Sequence, residues 1–370
     1  MHPTRRHLLA AAAAIAAAAV TGHASADPTV IVNPSSTLQS AGPAVLDFAN
    51  ARPMMPLAAA PASAVPDYHA TLDTLMAPQP SAGATEGHPR RAAVGLATTL
   101  PASRYAEPAS GDMAPQAYGT QAMHFTTSTS ANSNANNTVT PLQRTGRLFF
   151  NTPTGTSWCS ASMIRPGVLV TAAHCMNDGA GNWYSGWTYV PAYRNGNAPY
   201  GTFSNWVYGR ISIDWLNGGG SVPNVRDFGI LVFDRDARGN RIGDYTGWMG
   251  WWTNRLIGRH VTTVGYPGNM YGGEVQMRTD SLTYNYGTNN AWWGSDQRGG
   301  SSGSPVVVNL RNAYNNSVAT PTENDANRVS GVISWGFIAS APMAQGASVF
   351  DSVFAQFMSD ACSAYPTLAC

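Results

Sequence analysis

Val168-Leu169-Val170-Thr171-Ala172-Ala173-His174-Cys175 runs from an apolar, β-branched strand into small residues and sets a histidine against a cysteine. Three strand formers in succession read as a buried strand. The region 141–370 contains only two histidines, His174 and His260, so their surroundings are informative. Four cysteines allow three connectivities. The short spacings Cys159 to Cys175 and Cys362 to Cys370 suggest two local bridges. A bridge from Cys175 back to Cys159 pins His174 against its strand and is worth roughly 3 kcal/mol by loop closure. A general base benefits from such fixed placement. The plainer reading is a structural histidine beside a disulfide.

Downstream, Arg226-Asp227-Phe228-Gly229-Ile230-Leu231-Val232-Phe233 opens a second apolar strand with a lone carboxylate. Once buried, Asp227 can hold the second nitrogen of an imidazole and stabilise the imidazolium. Asp214, in Ile213-Asp214-Trp215, is the rival and lacks the following strand. An ion pair between Asp227 and Arg226 is the non-catalytic alternative. Further on comes Gly299-Gly300-Ser301-Ser302-Gly303-Ser304-Pro305. Glycines there let adjacent N–H groups converge on one point, where they stabilise an oxyanion while a hydroxyl attacks a carbonyl. Alone, such a loop equally reads as a surface turn.

Chain order narrows the choice. Gly299-x-Ser301-x-Gly303 fits the nucleophile elbow of α/β hydrolases, but that architecture needs a histidine after the acid. None follows His260. The Asp…His…Ser order needs His260 as base, because residues 141–173 contain no Asp. Arg259-His260-Val261-Thr262-Thr263-Val264 reads as an ordinary strand. His174…Asp227…Ser302 is the order that remains.

The surrounding texture is all-β. Arg147-Leu148-Phe149-Phe150, Val261 to Val264, Val306-Val307-Val308 and Val329 to Trp335 alternate with turns rich in Gly, Asn and Pro. This pattern fits a sandwich, one large barrel or two adjacent barrels. Phe350, Val353, Phe354, Phe357, Met358 and Ala361 form one helix face near the C-terminus. All eleven Trp and all four Cys lie between Trp158 and Cys370. Segment 27–140 has neither and shows no sustained hydrophobic period. Its Ser/Asn/Thr tract Thr126–Thr138 reads as a flexible linker.

Residues 1–26 read as an export signal. Arg5-Arg6 precede an apolar run from Leu8 to Val20, and Ala24-Ser25-Ala26 offers a cleavage site. Thr4-Arg5-Arg6-His7-Leu8-Leu9 resembles a twin-arginine signal, and an ordinary secretory signal fits equally. The organisation expected is therefore 1–26 signal peptide, 27–140 largely unstructured pro-region and linker, and 141–370 catalytic domain. The mature form is expected to be secreted, extracellular or periplasmic, with no membrane anchor. Arg90-Arg91 is a weak candidate processing point. The 370 residues carry a formal net charge of +1, 11% charged residues and no Lys. That balance gives no general electrostatic reason to bind nucleic acid or acidic membranes. No metal-ligand spacing stands out, and Asn177 to Asn182 reads as a turn. No cofactor is expected.

Thr171-Ala172-Ala173-His174-Cys175 and Gly300-Ser301-Ser302-Gly303-Ser304-Pro305 together resemble the two signatures of trypsin/chymotrypsin-like serine proteases. The Ser-Gly-Ser-Pro ending, Gly265-Tyr266-Pro267 and Cys159-Ser160-Ala161-Ser162 look most like the bacterial glutamyl endopeptidase branch. The resemblance covers roughly 141–370. It implies two packed antiparallel β-barrels with the site between them, and it accommodates the C-terminal helix. It implies His174 as general base, Asp227 as its orienting acid and Ser302 as nucleophile. The N–H groups of Gly300 and Ser302 then form the oxyanion hole. Ser334-Trp335-Gly336 resembles the substrate-pairing strand that walls the specificity pocket.

Two departures bear on control and specificity. The residue before the nucleophile is Ser301, where trypsin-type enzymes carry the Asp that binds a new N-terminus. Pro-region control should therefore work differently. Asp296, six residues before Ser302, resembles the pocket-base Asp that selects Arg or Lys. Glutamyl endopeptidases usually add Thr next to this position and His before the pocket-wall Trp-Gly. This chain has Gln297 and Ser334 there. The expectation is a secreted serine endopeptidase, made as a precursor and acting on protein or peptide substrates after Arg. A salt bridge from Asp296 to Arg298 or another Arg is the structural alternative. Rival readings are a Glu-specific endopeptidase, a serine esterase, and a protease-like binding module using exposed aromatics such as Trp292-Trp293.

Overall fold

A computed structural model of the chain describes residues 29–32, 45–55, 80–106, 123–130, 138–311, 326–337 and 343–370. The export signal expected at 1–26 lies outside these residues, as does 131–137 of the polar tract. Two curled, largely antiparallel sheets, each a half-barrel, make up the fold. In the first, the order is Thr29–Val32, Trp206–Ser212, Gly229–Phe233, Val168–Thr171, Gly155–Arg165, Thr145–Thr152 and Ser185–Pro191. In the second, it is Tyr284–Asn285, Asn290–Gly294, Ala344–Val349, Arg328–Gly336, Pro305–Val308, His260–Gly265, Met277–Leu282 and Phe125–Thr129.

The apolar runs become the central strands. Val168–Thr171 and Gly229–Phe233 are buried along their whole length, which explains why they read as continuous hydrophobic blocks. Their register, Gly229↔Thr171 through Val232↔Val168, sets the end of one strand beside the start of the other. Both expected disulfides are present. Cys159–Cys175 ties the strand Gly155–Arg165 to the turn that carries His174, and Cys362–Cys370 closes the C-terminus.

The amphipathic C-terminal segment is a helix, Ser352–Ala364. Asp351 caps it by accepting from the N–H groups of Val353 and Phe354, which satisfies two of the orphan donors of a helix start. Phe354, Phe357, Met358 and Ala361 are its buried face. Phe350, Phe354 and Phe357 meet Phe228 edge-on at 5.5–5.6 Å. The helix therefore packs directly behind Asp227.

One expectation changes. Phe125–Thr129 is not linker but an edge strand paired with Met277–Leu282 over five residues. Its side chains are half-buried or exposed, so ladder hydrogen bonds hold it rather than an apolar face. Other described pieces of 27–140 also dock on the sheets, including Thr29–Val32, Arg52–Pro53 and Gly83–Ala84.

Candidate active site

His174 lies in a single tight turn, Ala173–Cys175, just beyond the strand Val168–Thr171. Asp227 lies just before the strand Gly229–Phe233. The antiparallel register brings the two together. His174 Nδ1 is 2.7 Å from Asp227 Oδ2, and the His174 backbone N–H donates to Asp227 Oδ1 at 2.9 Å. Ser334 Oγ donates to Oδ2 at 2.7 Å, so the carboxylate accepts three hydrogen bonds. His174 and Asp227 are 1% and 0% exposed. With Oδ2 as the acceptor facing it, the imidazole is oriented with its proton on Nδ1. His174 Nε2 is then the basic nitrogen, and it has no hydrogen-bond partner among the described residues.

The rival carboxylate is otherwise engaged. Asp214 binds Arg226 Nη1 at 2.5 Å, and Arg226 Nε binds Asp351 at 2.7 Å. Arg226 thus pairs with Asp214 and Asp351, not with Asp227. His260 is exposed at the start of its strand.

Ser302 is 4% exposed, on a loop joined to both sheets. Its carbonyl accepts from the Ser160 N–H at 2.8 Å, while the next residue, Gly303, donates to Ile333 at 2.8 Å. Gly303 has φ +78°, and a Cβ there would collide with Thr171 Oγ1 and the Ser160 carbonyl. The loop therefore packs against the strand end that leads to His174, as close as glycine permits. Gly300 has φ +88°, and a Cβ there would lie 2.5 Å from Trp158 Nε1. Trp158 is itself held by the Arg147 guanidinium, 4.1 Å from its ring, and Arg147 is anchored by Glu274 at 2.7 Å. The structure brings His174 and Asp227 into direct contact. It leaves Ser302 on the neighbouring loop without a hydrogen bond to Nε2, a contact that often tightens only with substrate bound.

A tie with no counterpart in the residue pattern lies behind Ser302. Ser301 Oγ donates to the Arg298 carbonyl at 2.6 Å and accepts from Gln345 Nε2 at 2.8 Å. Gln345 Oε1 accepts from Ser295 Oγ at 2.8 Å. A neutral chain, Ser295–Gln345–Ser301, holds the residue before Ser302.

Asp296 is half-buried, and its Oδ1 accepts from Thr127 Oγ1 at 2.6 Å. No Arg lies within ion-pair distance of it among the described residues; Arg298 Nη1 donates to the Gln297 carbonyl at 3.2 Å instead. Thr127 and Gln297 both hydrogen-bond Thr279 Oγ1, so the edge strand Phe125–Thr129 closes the wall behind Asp296. Ser334 turns its hydroxyl to Asp227, and Trp335 Nε1 donates to Asn290 at 3.0 Å. Gly336 ends the strand, half-buried. Trp292 and Trp293 are buried core residues, not the exposed pair that a binding module needs. Cys159, His174 and Cys175 are the one group of three clustered metal-ligand types among the described residues. Their two sulfurs are bonded to each other, and His174 Nδ1 faces Asp227, so the group is not a metal site.

A stretch of 149 residues, 40% of this chain, is 32% identical to glutamyl endopeptidase of Bacillus licheniformis and spans 44% of that protein. A protein of Bacillus subtilis named extracellular metalloprotease is 25% identical over 200 residues, 50% of this chain and 58% of its own length. The chain thus spans about half the length of the curated relatives it matches. Among solved structures, the protease Anisep from Arthrobacter nicotinovorans superposes with a TM-score of 0.50 at 22% identity, covering 60% of this chain and 96% of that one. No protein-family model matches the chain. The fold is chymotrypsin-like, and 149 residues of the chain are similar to a glutamyl endopeptidase.

Proposed function

We propose that the protein is a secreted serine endopeptidase, made as a precursor, that cleaves peptide bonds through His174, Asp227 and Ser302. The observation that carries this reading is the buried His174–Asp227–Ser334 network, which leaves Nε2 without a hydrogen-bond partner among the described residues. In the proposed reaction Ser302 Oγ attacks the scissile carbonyl carbon and its proton passes to His174 Nε2. The N–H groups of Gly300 and Ser302 hold the oxyanion. The imidazolium, stabilised by Asp227, returns the proton to the leaving amine. A water then repeats the sequence on the acyl-enzyme, restoring Ser302 and releasing the acid. The residues supply every proton transfer without a metal or cofactor. Export rests on the leader-like 1–26 and on the relative named as extracellular. No helix among the described residues is long and apolar enough to cross a membrane.

A phosphonate probe that reacts with serine nucleophiles tests the reading. The adduct is expected on Ser302, and an adduct elsewhere refutes the assignment.

For the first specificity site the proposal is cleavage after Arg. Asp296 presents a half-buried carboxylate whose one side-chain partner among the described residues is the Thr127 hydroxyl, and such a group attracts a guanidinium strongly. The Ser334 hydroxyl that would help an acidic-selective pocket is spent on Asp227. Peptide-library profiling should show Arg at the cleaved position. Asp296→Asn should lower kcat/KM for Arg substrates by about 30-fold or more, the cost of removing one partner of a desolvated charge pair. A profile dominated by Glu, as the name of the Bacillus licheniformis relative suggests, would assign Asp296 a structural role through Thr127.

A further inference from the structure

The chain places one of its own segments against the proposed oxyanion hole. The carbonyl of Met54 accepts the Gly300 N–H at 3.1 Å, and the Met54 N–H donates to the Trp158 carbonyl at 2.9 Å. Arg52–Pro53 pairs with Ser157–Trp158 as an added short strand. The segment is firmly seated. Ala51 and Met54 are buried, and the Asp47 N–H donates to Thr156 Oγ1 at 2.9 Å. Phe48 meets Phe149 edge-on at 4.9 Å, within the apolar cluster around Trp158. The surface beneath is made of glycine. A Cβ on Gly268 would come 2.9 Å from Pro53, and one on Gly299 would collide with Met55. A peptide backbone can lie this close only where side chains are missing.

We propose that residues 47–55 are an internal plug that occupies a peptide-binding groove formed by Trp158, Gly268, Gly299 and Gly300. The plug caps one of the two oxyanion donors and so holds the precursor inactive. The inference rests on the peptidase reading above, because capping Gly300 matters only if its N–H stabilises an oxyanion. It differs from trypsin-type control. The nucleophile loop is already held by Ser301 and Gln345, so activation requires departure of an occupant and no rearrangement of the loop. The groove that the plug vacates is open to an extended stretch of substrate backbone. The main-chain groups of Trp158 and Gly300 recognise it.

The test uses the full chain and two variants that loosen the plug outside the catalytic residues. Met54→Pro removes the N–H that anchors the segment to Trp158. Ala51→Arg forces a charge into the Phe149–Trp158 cluster and covers the case in which the proline variant does not fold. Both should hydrolyse a small activated ester faster than the parent and label faster at Ser302 with the phosphonate probe. The expected rise is on the order of 10²-fold, the usual worth of an oxyanion donor. A synthetic peptide of residues 46–56, added in excess, should restore inhibition. If the parent labels at Ser302 as fast as the folded variants, the plug is wrong while the peptidase reading stands. If Ser302 labels in none of them, both fall.

Discussion

Ser302→Ala is expected to lower amide hydrolysis by about 10⁴–10⁶-fold, the range found when a triad nucleophile is removed. It should also abolish labelling by the phosphonate probe. The size of the effect follows from the proposed role of the hydroxyl as the attacking group. The change removes only Oγ. The Ser302 carbonyl still receives the Ser160 N–H, and Gly303 still donates to Ile333, so the loop remains joined to both sheets. The unfolding midpoint should therefore stay close to that of the parent. Comparing kcat/KM with the denaturation curve separates loss of chemistry from loss of fold. Peptidase activity surviving at the parent's level in a folded Ser302→Ala chain would remove the assignment.

Much of this was legible because the chemistry sits in local sequence. The strand before His174 and the strand after Asp227 are continuous apolar blocks, and buried central strands are written that way. The C-terminal helix was equally plain, because one buried face on a surface helix imposes a 3.6-residue period. What escaped is non-local or made by the backbone. Phe125–Thr129 looked like linker because an edge strand with exposed Thr and Ser needs no apolar alternation. Its Thr127 hydroxyl reaches Asp296 across 169 residues of sequence, and Gln345 reaches Ser301 across 44. The contact between Met54 and Gly300 involves only main-chain atoms, so no side-chain pattern encodes it. Ser334 was expected at the pocket wall. That strand position left open which way the hydroxyl turns, and it turns to Asp227.

Asp227→Asn is the second large effect expected, a fall of about 10⁴-fold in kcat/KM at neutral pH with the fold preserved. The amide is nearly isosteric, but its two ends are no longer equivalent. The His174 backbone N–H points at Oδ1 and demands an acceptor, so the amide oxygen must take that place. The NH₂ then occupies the position of Oδ2, facing His174 Nδ1 and Ser334 Oγ. Ser334 can rotate to accept one of the two new protons. The imidazole must accept the other at Nδ1, which moves its own proton to Nε2. An Nε2–H cannot take the proton of Ser302, and the imidazolium has lost its counter-charge. Two measurements check this sequence of causes. Nitrogen chemical shifts of His174 should report the Nε2–H form in the variant and the Nδ1–H form in the parent. The double variant Ser302→Ala/Asp227→Asn should be no slower than Ser302→Ala alone, because the two groups act through one proton path. Additive losses would mean that Asp227 acts on something other than His174.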